Sequence, residues 1–256
     1  MMKKDTSWNN VADWYDELLT SDADSYQEKV IGPHILRILD QGNNKALLDL
    51  GCGQGFFSEK FAHAGWNVTG ADLSPRLIEQ ARKMVPRGTF GVCSADDLSS
   101  FDDASFDAVV SILAIQNMEH LDQVIKEVGR VLKKGGRFIF VLNHPSFRIP
   151  KASSWGFDEE SNQQYRRVNA YMSERPEKID MTPGRASDKE YTVSFHRPLQ
   201  TFGKLLGKNK LFISRLEEWI SHKVSQKGPR KEVEDTARKE FPLFLCIEAT
   251  KIGTRL

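Results

Sequence analysis

The fold is decided by the stretch Ala46-Leu47-Leu48-Asp49-Leu50-Gly51-Cys52-Gly53-Gln54-Gly55. Its first half is a compact apolar run that predicts a buried β-strand, and its second half carries glycine at alternate positions. Alternating glycines let the backbone turn tightly and let a ligand approach the main chain without meeting a Cβ atom. Backbone N–H groups there suit an anionic group such as a carboxylate. Phe56 stands where a dinucleotide fingerprint needs its third glycine, so the spacing disfavours NAD binding.

Beyond this loop, short strands alternate with helices. An amphipathic helix is predicted over 121–132, and Lys134-Gly135-Gly136 is expected to end it. Strands at this spacing predict an α/β fold with a mostly parallel sheet, right-handed connections and helices on both faces. The predicted strands cover residues 46–50, 66–72, 89–93, 106–112, 137–142, 211–216 and 243–249.

The 256 residues are expected to form a single domain with two additions to its core. The core is predicted over 45–143, and a C-terminal helix with the last two strands over 196–256. Residues 1–44 read as a helical N-terminal lid. Residues 145–195 are polar with scattered aromatic side chains. They are too long for an ordinary connection, so we expect an inserted cap over an acceptor site after strand five.

Composition excludes several classes of protein. The chain has 36 basic and 35 acidic residues, which argues against a strong nucleic-acid clamp. No apolar run is long enough for a membrane span, and the polar N-terminus has no signal-peptide core. Three widely spaced cysteines fit reduced thiols better than disulfides or a zinc site. We therefore expect a cytoplasmic protein without a metal centre, and the sequence does not indicate an oligomeric state.

Polar residues follow the next predicted strands. Asp72 ends the second strand, where an acid can accept hydrogen bonds from both hydroxyls of a ribose. The alternative is that Asp72 is a turn or cap residue beside Ser74. After the third strand, Ser94-Ala95-Asp96 offers a polar group and a backbone N–H that could read the edge of an adenine.

In combination these segments resemble the class I S-adenosylmethionine-dependent methyltransferases, in particular their type 11-like, small-molecule branch. The stretch 47–55 is similar to that family's first motif, Asp72 to its ribose acid, 105–110 to its fourth strand and 131–137 to its turn into strand five. The resemblance covers about residues 8–143 and resumes more weakly at 195–199. It implies a Rossmann-like, doubly wound, seven-stranded sheet.

The resemblance also implies the cofactor S-adenosyl-L-methionine, with S-adenosyl-L-homocysteine as product, and the residues that hold it. The glycine loop should hold the methionine end, Asp72 and Leu73 the ribose, and the segment after strand three the adenine, although Ser94 stands where many relatives carry Asp. The implied cofactor residues are Asp49, Gly51, Cys52, Gly53, Gly55, Asp72, Leu73, Ser94, Ala95, Asp96, Leu113 and Ala114.

Methyl transfer from a sulfonium is an in-line displacement, so the protein mainly supplies alignment and a dry site. A base is needed only when the acceptor must lose a proton. Candidates by type and position are His144 and His196, with Tyr15 closing the cofactor pocket. Alternatively, His144 is a turn histidine and His196 pins the insertion to the core. His120 is expected to be a surface or cap residue.

The acceptor is less defined than the cofactor. Aromatic residues of the insertion, such as Trp155 and Tyr171, could form a wall over it or only a small core. Arg148, Arg166 and Arg167 could bind a carboxylate or phosphate. The leading function is methyl transfer to an oxygen or nitrogen atom of a small molecule that is anionic or aromatic. The alternatives are methylation of RNA or protein, and non-catalytic binding of S-adenosylmethionine.

Overall fold

The computed structural model describes Trp8 and residues 24–181 and 189–253. Within these parts of the chain it has eleven strands and six α-helices. The strands are β1 (Ala46–Leu50), β2 (Asn67–Asp72), β3 (Thr89–Val92), β4 (Phe106–Ile112), β5 (Leu132–Asn143), β6 (Ser153–Asp158), β7 (Gln163–Val168), β8 (Arg175–Asp180), β9 (Tyr191–His196), β10 (Leu211–Trp219) and β11 (Phe244–Lys251). The helices are α1 (Gly32–Leu39), α2 (Phe56–His63), α3 (Pro75–Met84), α4 (Leu121–Val131), α5 (Leu199–Lys208) and α6 (Lys231–Glu240).

Seven strands form one central sheet in the order β3-β2-β1-β4-β5-β11-β10. The five strands from β3 to β5 are parallel, and β11 pairs antiparallel with both β5 and β10. The predicted Rossmann-like, mostly parallel, seven-stranded sheet is therefore confirmed. Parallel pairing aligns the carboxyl ends of β1, β2 and β4 along one edge of the sheet, where ligands bind in open α/β folds.

Both faces of the sheet are buried, as its apolar strands require. Because successive side chains of a strand point to opposite faces, Leu48 packs in the cluster under α4 and α5, whereas Leu47 packs in the cluster under α1 and α2. Helix α3 covers β2 and β3. It begins where the sequence predicts, because the Ser74 hydroxyl accepts a hydrogen bond from the Leu77 N–H and Pro75 occupies the first turn.

The turn into strand five differs from the prediction. Lys134-Gly135-Gly136 does not end the helix, because α4 ends at Val131 and β5 begins at Leu132. The register with β4 then shifts between Phe106 and Ala108, and Gly135 has a φ of +78°. The glycines therefore form a bulge inside β5.

The insertion after β5 is more regular than its polar sequence suggested. It contains two antiparallel hairpins, β6–β7 and β8–β9, each of which is a separate two-stranded sheet. Helix α6, between β10 and β11, was not predicted. Half of the expected N-terminal lid, Tyr15 included, lies outside the described residues, and the described half contains α1. Within the described residues, no helix combines the length and apolar character that crossing a membrane requires.

Candidate functional site

A cavity of about 430 Å³ opens at the carboxyl ends of β1, β2 and β4. Eleven of the twelve residues that sequence analysis assigned to the cofactor line it, which brings together four separate stretches of sequence. These residues are Asp49, Gly51, Cys52, Gly53, Asp72, Leu73, Ser94, Ala95, Asp96, Leu113 and Ala114.

The glycine loop leaves no room for side chains at two positions. Gly51 has a φ of +76°, and a Cβ there would lie 2.4 Å from the Cβ of Ala114. Gly55 has a φ of +93°, and a Cβ there would lie 3.1 Å from the Cα of Ala81 on α3. Gly55 is the one assigned residue that does not line the cavity. The missing side chain at Gly55 lets the loop pack closely against α3. The missing side chain at Gly51 lets the loop pack closely against Ala114, which lines the cavity.

Asp72 is anchored by the backbone at the end of β2. Its Oδ2 accepts a hydrogen bond from the Gly53 N–H at 3.0 Å, and its Oδ1 accepts one from the Ser74 N–H at 2.9 Å. Each carboxylate oxygen has a further lone pair, and Asp72 lines the cavity. Burial raises the pKa of Asp72, and the backbone hydrogen bonds oppose that shift. Asp72 is thus both a turn residue beside Ser74 and an acceptor facing the cavity.

Asp49 is the second carboxylate of the site and is only 2% exposed. It accepts a hydrogen bond of 2.6 Å from the Ser58 hydroxyl on α2. Burial raises the pKa of Asp49 to about 7, and the charge of nearby Asp72 adds to the shift, whereas the Ser58 hydrogen bond lowers it. Two carboxylates beside one loop favour a ligand with positive charge near that loop.

The remaining walls come from the segments that follow β3 and β4 and from the insertion. Val193 and Phe195 of β9 line the cavity. Their hairpin is tied to this wall by Arg197, whose Nη2 donates hydrogen bonds to the carbonyl oxygens of Met118 at 2.8 Å and Glu119 at 2.6 Å. Val193 and Phe195 were missed from sequence, although their alternate spacing was a signal for one face of a strand.

The structure does not bring the predicted catalytic histidines to the cavity. His144 is 4% exposed, and its Nε2 lies 2.7 Å from Oε1 of Glu218. His196 is 5% exposed, and its Nε2 donates to the Tyr171 carbonyl oxygen at 2.7 Å. Burial lowers the pKa of both rings. This placement matches the alternative interpretation, in which each histidine holds a turn or pins the insertion.

Several cavity residues were not predicted. His120, expected at the surface or as a cap, is exposed, stands at the N-cap of α4 and also lines the cavity. Its neighbour Glu119 is also exposed and lines the cavity. Further unassigned lining residues are Trp8, Gln54, Phe56, Asn117 and Met118. Across the described ranges, no group of three or more His, Cys, Asp or Glu residues is placed to hold a metal ion.

Comparisons with known proteins agree with this geometry. A family model described as a methyltransferase domain, type 11, matches residues 48–140. The chain is 34% identical over 113 residues to the malonyl-[acyl-carrier protein] O-methyltransferase of Erwinia pyrifoliae, covering 44% of this chain and 43% of that protein. The chain thus spans less than half the length of the first curated relatives that it matches.

Solved structures extend the likeness over most of the chain. An S-adenosylmethionine-dependent methyltransferase from Mesorhizobium loti has a TM-score of 0.67 at 27% identity, covering 85% of this chain and 96% of that one. A structure from Listeria monocytogenes, described as a putative enzyme of the same kind, also has a TM-score of 0.67, at 29% identity, covering 88% and 100%. Residues 48–140 are therefore similar to the methyltransferase domain family, and most of the chain has the fold of solved S-adenosylmethionine-dependent methyltransferases.

Proposed function

We propose that this protein transfers a methyl group from S-adenosylmethionine to an oxygen or nitrogen atom of a small-molecule acceptor. The observation that carries the proposal is the cavity at the carboxyl edge of the sheet, where the glycine loop meets Asp72. A cavity of this kind, at the switch in strand order, is where open α/β sheets bind nucleotides.

The residues of the cavity fit the cofactor. Asp72 is the proposed acceptor for the ribose hydroxyls, with Leu73 beside it, and Ser94, Ala95 and Asp96 are the proposed adenine neighbours. The close packing of Gly51 against Ala114 brings the glycine loop and the segment after β4 together as two adjoining walls of the cavity. The proposed methionine contacts are the glycine loop with Leu113 and Ala114. The carboxylates of Asp49 and Asp72 complement the positive charges of the ammonium and sulfonium groups.

The cofactor supplies an activated methyl group, so the protein has to align two reactants and exclude water. Val193 and Phe195 place apolar surface at the cavity, and we propose that the insertion at 145–195 caps the acceptor side. In this proposal His144 and His196 position the insertion and the turn that leads into it, because both rings are held away from the cavity. His120 is the histidine that lines it, and it is the proposed base for an acceptor that must lose a proton.

Oxygen as the acceptor atom is supported by the named relative, which is an O-methyltransferase matching 44% of this chain. We place the reaction in the cytoplasm because Cys52, Cys93 and Cys246 are all free thiols, which persist in a reducing compartment. The acceptor is proposed to be anionic or aromatic.

The test is calorimetric titration of S-adenosylhomocysteine into the wild-type protein and the Asp72→Ala variant, with NAD as the control ligand. Loss of hydrogen bonds to a charged group costs about 1.5–3 kcal/mol, so Asp72→Ala should weaken binding roughly tenfold to a hundredfold. Asp102→Ala, which changes an exposed acid remote from the cavity lining, should bind like wild type. A folded protein that does not bind S-adenosylhomocysteine would overturn the proposal. Methyl transfer in the presence of acceptor separates an enzyme from a non-catalytic binder.

A further inference from the structure

A second cavity, of about 150 Å³, lies between the β6–β7 hairpin and the segment that leads into β11. None of its lining residues lines the larger cavity. Two arginines, Arg148 and Arg166, face it together with aromatic side chains, and we call it the arginine pocket. Arg167, the third arginine of the sequence prediction, is exposed and does not line it.

In the described part of the chain, the two guanidinium groups of the arginine pocket have no carboxylate partner. Among residues 24–181 and 189–253, no carboxylate forms an ion pair with Arg148 or Arg166, and the charge acting on Arg166 is that of Arg148. Other partly buried arginines do have such partners: Arg130 pairs with Asp103 and Arg137 pairs with Glu248. Arg197 is also buried without an ion pair, but its Nη2 donates to two backbone carbonyl oxygens, whereas the side chain of Arg148 makes no hydrogen bond within the described residues.

Desolvation makes this arrangement costly. Burial lowers the pKa of Arg148, but a guanidinium stays protonated at neutral pH. Two partly buried positive charges without a counter-charge lose hydration and repel each other. An oxyanion between them would remove both costs, and carboxylates and phosphates match the fork of a guanidinium.

The pocket is also held in shape before any ligand binds. The Nε of Arg166 donates to the Phe147 carbonyl oxygen at 2.8 Å, and its Nη2 donates to the Ser153 hydroxyl at 2.9 Å. The guanidinium carbon lies 5.1 Å from the centre of the Trp155 ring. Phe241 meets Trp155 edge-on at 5.3 Å between ring centres. These contacts fix Arg166 while its Nη1 makes no hydrogen bond within the described chain.

We propose that the arginine pocket binds the carboxylate or phosphate group of a small molecule whose adjoining part is apolar or aromatic. Arg148 and Arg166 bind the oxyanion, and the rings of Tyr26, Phe147 and Trp155 pack against the rest.

The test is calorimetric titration of the full-length protein with benzoate and with phenyl phosphate, and with benzyl alcohol as the uncharged control. The wild type should bind at least one of the two anions saturably and should not bind benzyl alcohol. The tighter anion identifies the group for which the pocket is built. Arg148→Met should weaken that binding about tenfold to a hundredfold, because a charge-assisted contact is lost. Arg167→Met, which changes the exposed neighbour of Arg166 on the β6–β7 hairpin, should leave the binding unchanged.

Absence of anion binding by the wild type, or equal binding by wild type and Arg148→Met, would overturn the assignment. Arg148 makes no side-chain hydrogen bond within the described residues, so Arg148→Met should fold. Titration with S-adenosylhomocysteine checks this independently, since that ligand should bind the variant as it binds the wild type. If the proposal for the arginine pocket is wrong, the anion titration fails while S-adenosylhomocysteine still binds. If the proposed function is wrong, the titration with S-adenosylhomocysteine is the one that fails.

Discussion

Replacing Gly51 by alanine tests the geometry of the glycine loop most directly. Two separate obstacles meet at this position. The backbone has a φ of +76°, which a residue with a Cβ rarely adopts, and the new Cβ would lie 2.4 Å from the Cβ of Ala114. The nearest other side-chain atom is Cε of Met118 at 3.4 Å, which is ordinary contact. The steric obstacle to a side chain at position 51 is therefore the methyl group of Ala114.

The two obstacles contribute different amounts. The left-handed backbone costs an alanine roughly 1–2 kcal/mol. Forcing a methyl group into a packed wall costs typically 1–3 kcal/mol more. Gly51→Ala should therefore lower the free energy of unfolding by about 2–5 kcal/mol. Because Ala114 lines the cavity, the variant should also bind S-adenosylhomocysteine at least tenfold more weakly.

Two other glycines separate strain from collision. A Cβ at Gly135 meets nothing within 4 Å, but its φ is +78°, so Gly135→Ala should show only the backbone cost. A Cβ at Gly91 meets nothing within 4 Å and needs no positive φ, so Gly91→Ala should be neutral or slightly stabilising. Urea unfolding of all three variants gives the free energies, and calorimetry gives the affinities.

A double variant tests directly whether the contact with Ala114 causes the loss of stability. Ala114→Gly removes the methyl group that Gly51→Ala would strike, so the double variant should be more stable than the sum of the single changes by about 1–3 kcal/mol. Additive effects, or a Gly51→Ala variant no less stable than Gly135→Ala, would show that the close approach of Gly51 to Ala114 is not what the loop requires.

Three further predictions follow from individual side chains. Burial raises the pKa of Asp49 from 3.8 to about 7, so the folded protein keeps a proton that the unfolded chain releases, and ligand-free stability should fall as pH rises through that interval. Measured by urea unfolding, the free energy of unfolding of Asp49→Asn should depend less on pH than that of the wild type. An equal pH dependence in the two proteins would contradict the raised pKa of Asp49. Arg197→Met removes both hydrogen bonds to the carbonyl oxygens of residues 118 and 119 and should lower the free energy of unfolding by about 2–4 kcal/mol. The exposed control Arg167→Met should lower it by less than about 0.5 kcal/mol. An equal loss of stability in the two variants would refute the anchoring role of Arg197. Burial raises the pKa of Cys93 to about 11 and that of Cys246 to about 12. Because the thiolate is the reactive form, iodoacetamide should alkylate both thiols slowly at neutral pH until urea is added, as mass spectrometry can measure. Fast labelling of Cys246 in the folded protein would contradict this prediction.

The parts of the molecule that sequence predicted well are those whose causes are local. A run of apolar residues ending in alternate glycines defines β1 and its loop without reference to distant residues. Asp72 is placed by its own strand. Because parallel strands end at a shared edge, predicting each strand also predicted that these residues would converge.

What sequence did not predict depends on distant partners. The ring of His144 is held by Glu218, 74 residues further along the chain, and that of His196 by Tyr171, 25 residues earlier. Residue type suggested catalysis for both, but type does not reveal which side chain will meet a histidine in three dimensions. The β6–β7 hairpin was missed because its strands are short, polar and largely exposed, so they show little alternation of apolar and polar residues.

The position of β11 has a consequence for the order of assembly during synthesis. This strand, Phe244–Lys251, follows β10 in sequence, yet it lies between β5 and β10 in the sheet. Until it leaves the ribosome, a nascent chain can pair β1 to β5 but exposes the free backbone edge of β5, a template for wrong pairing. The central sheet is thus completed only after β11 has been made. A ribosome stalled before residue 244 should hold a protease-sensitive, chaperone-dependent intermediate rather than the finished sheet.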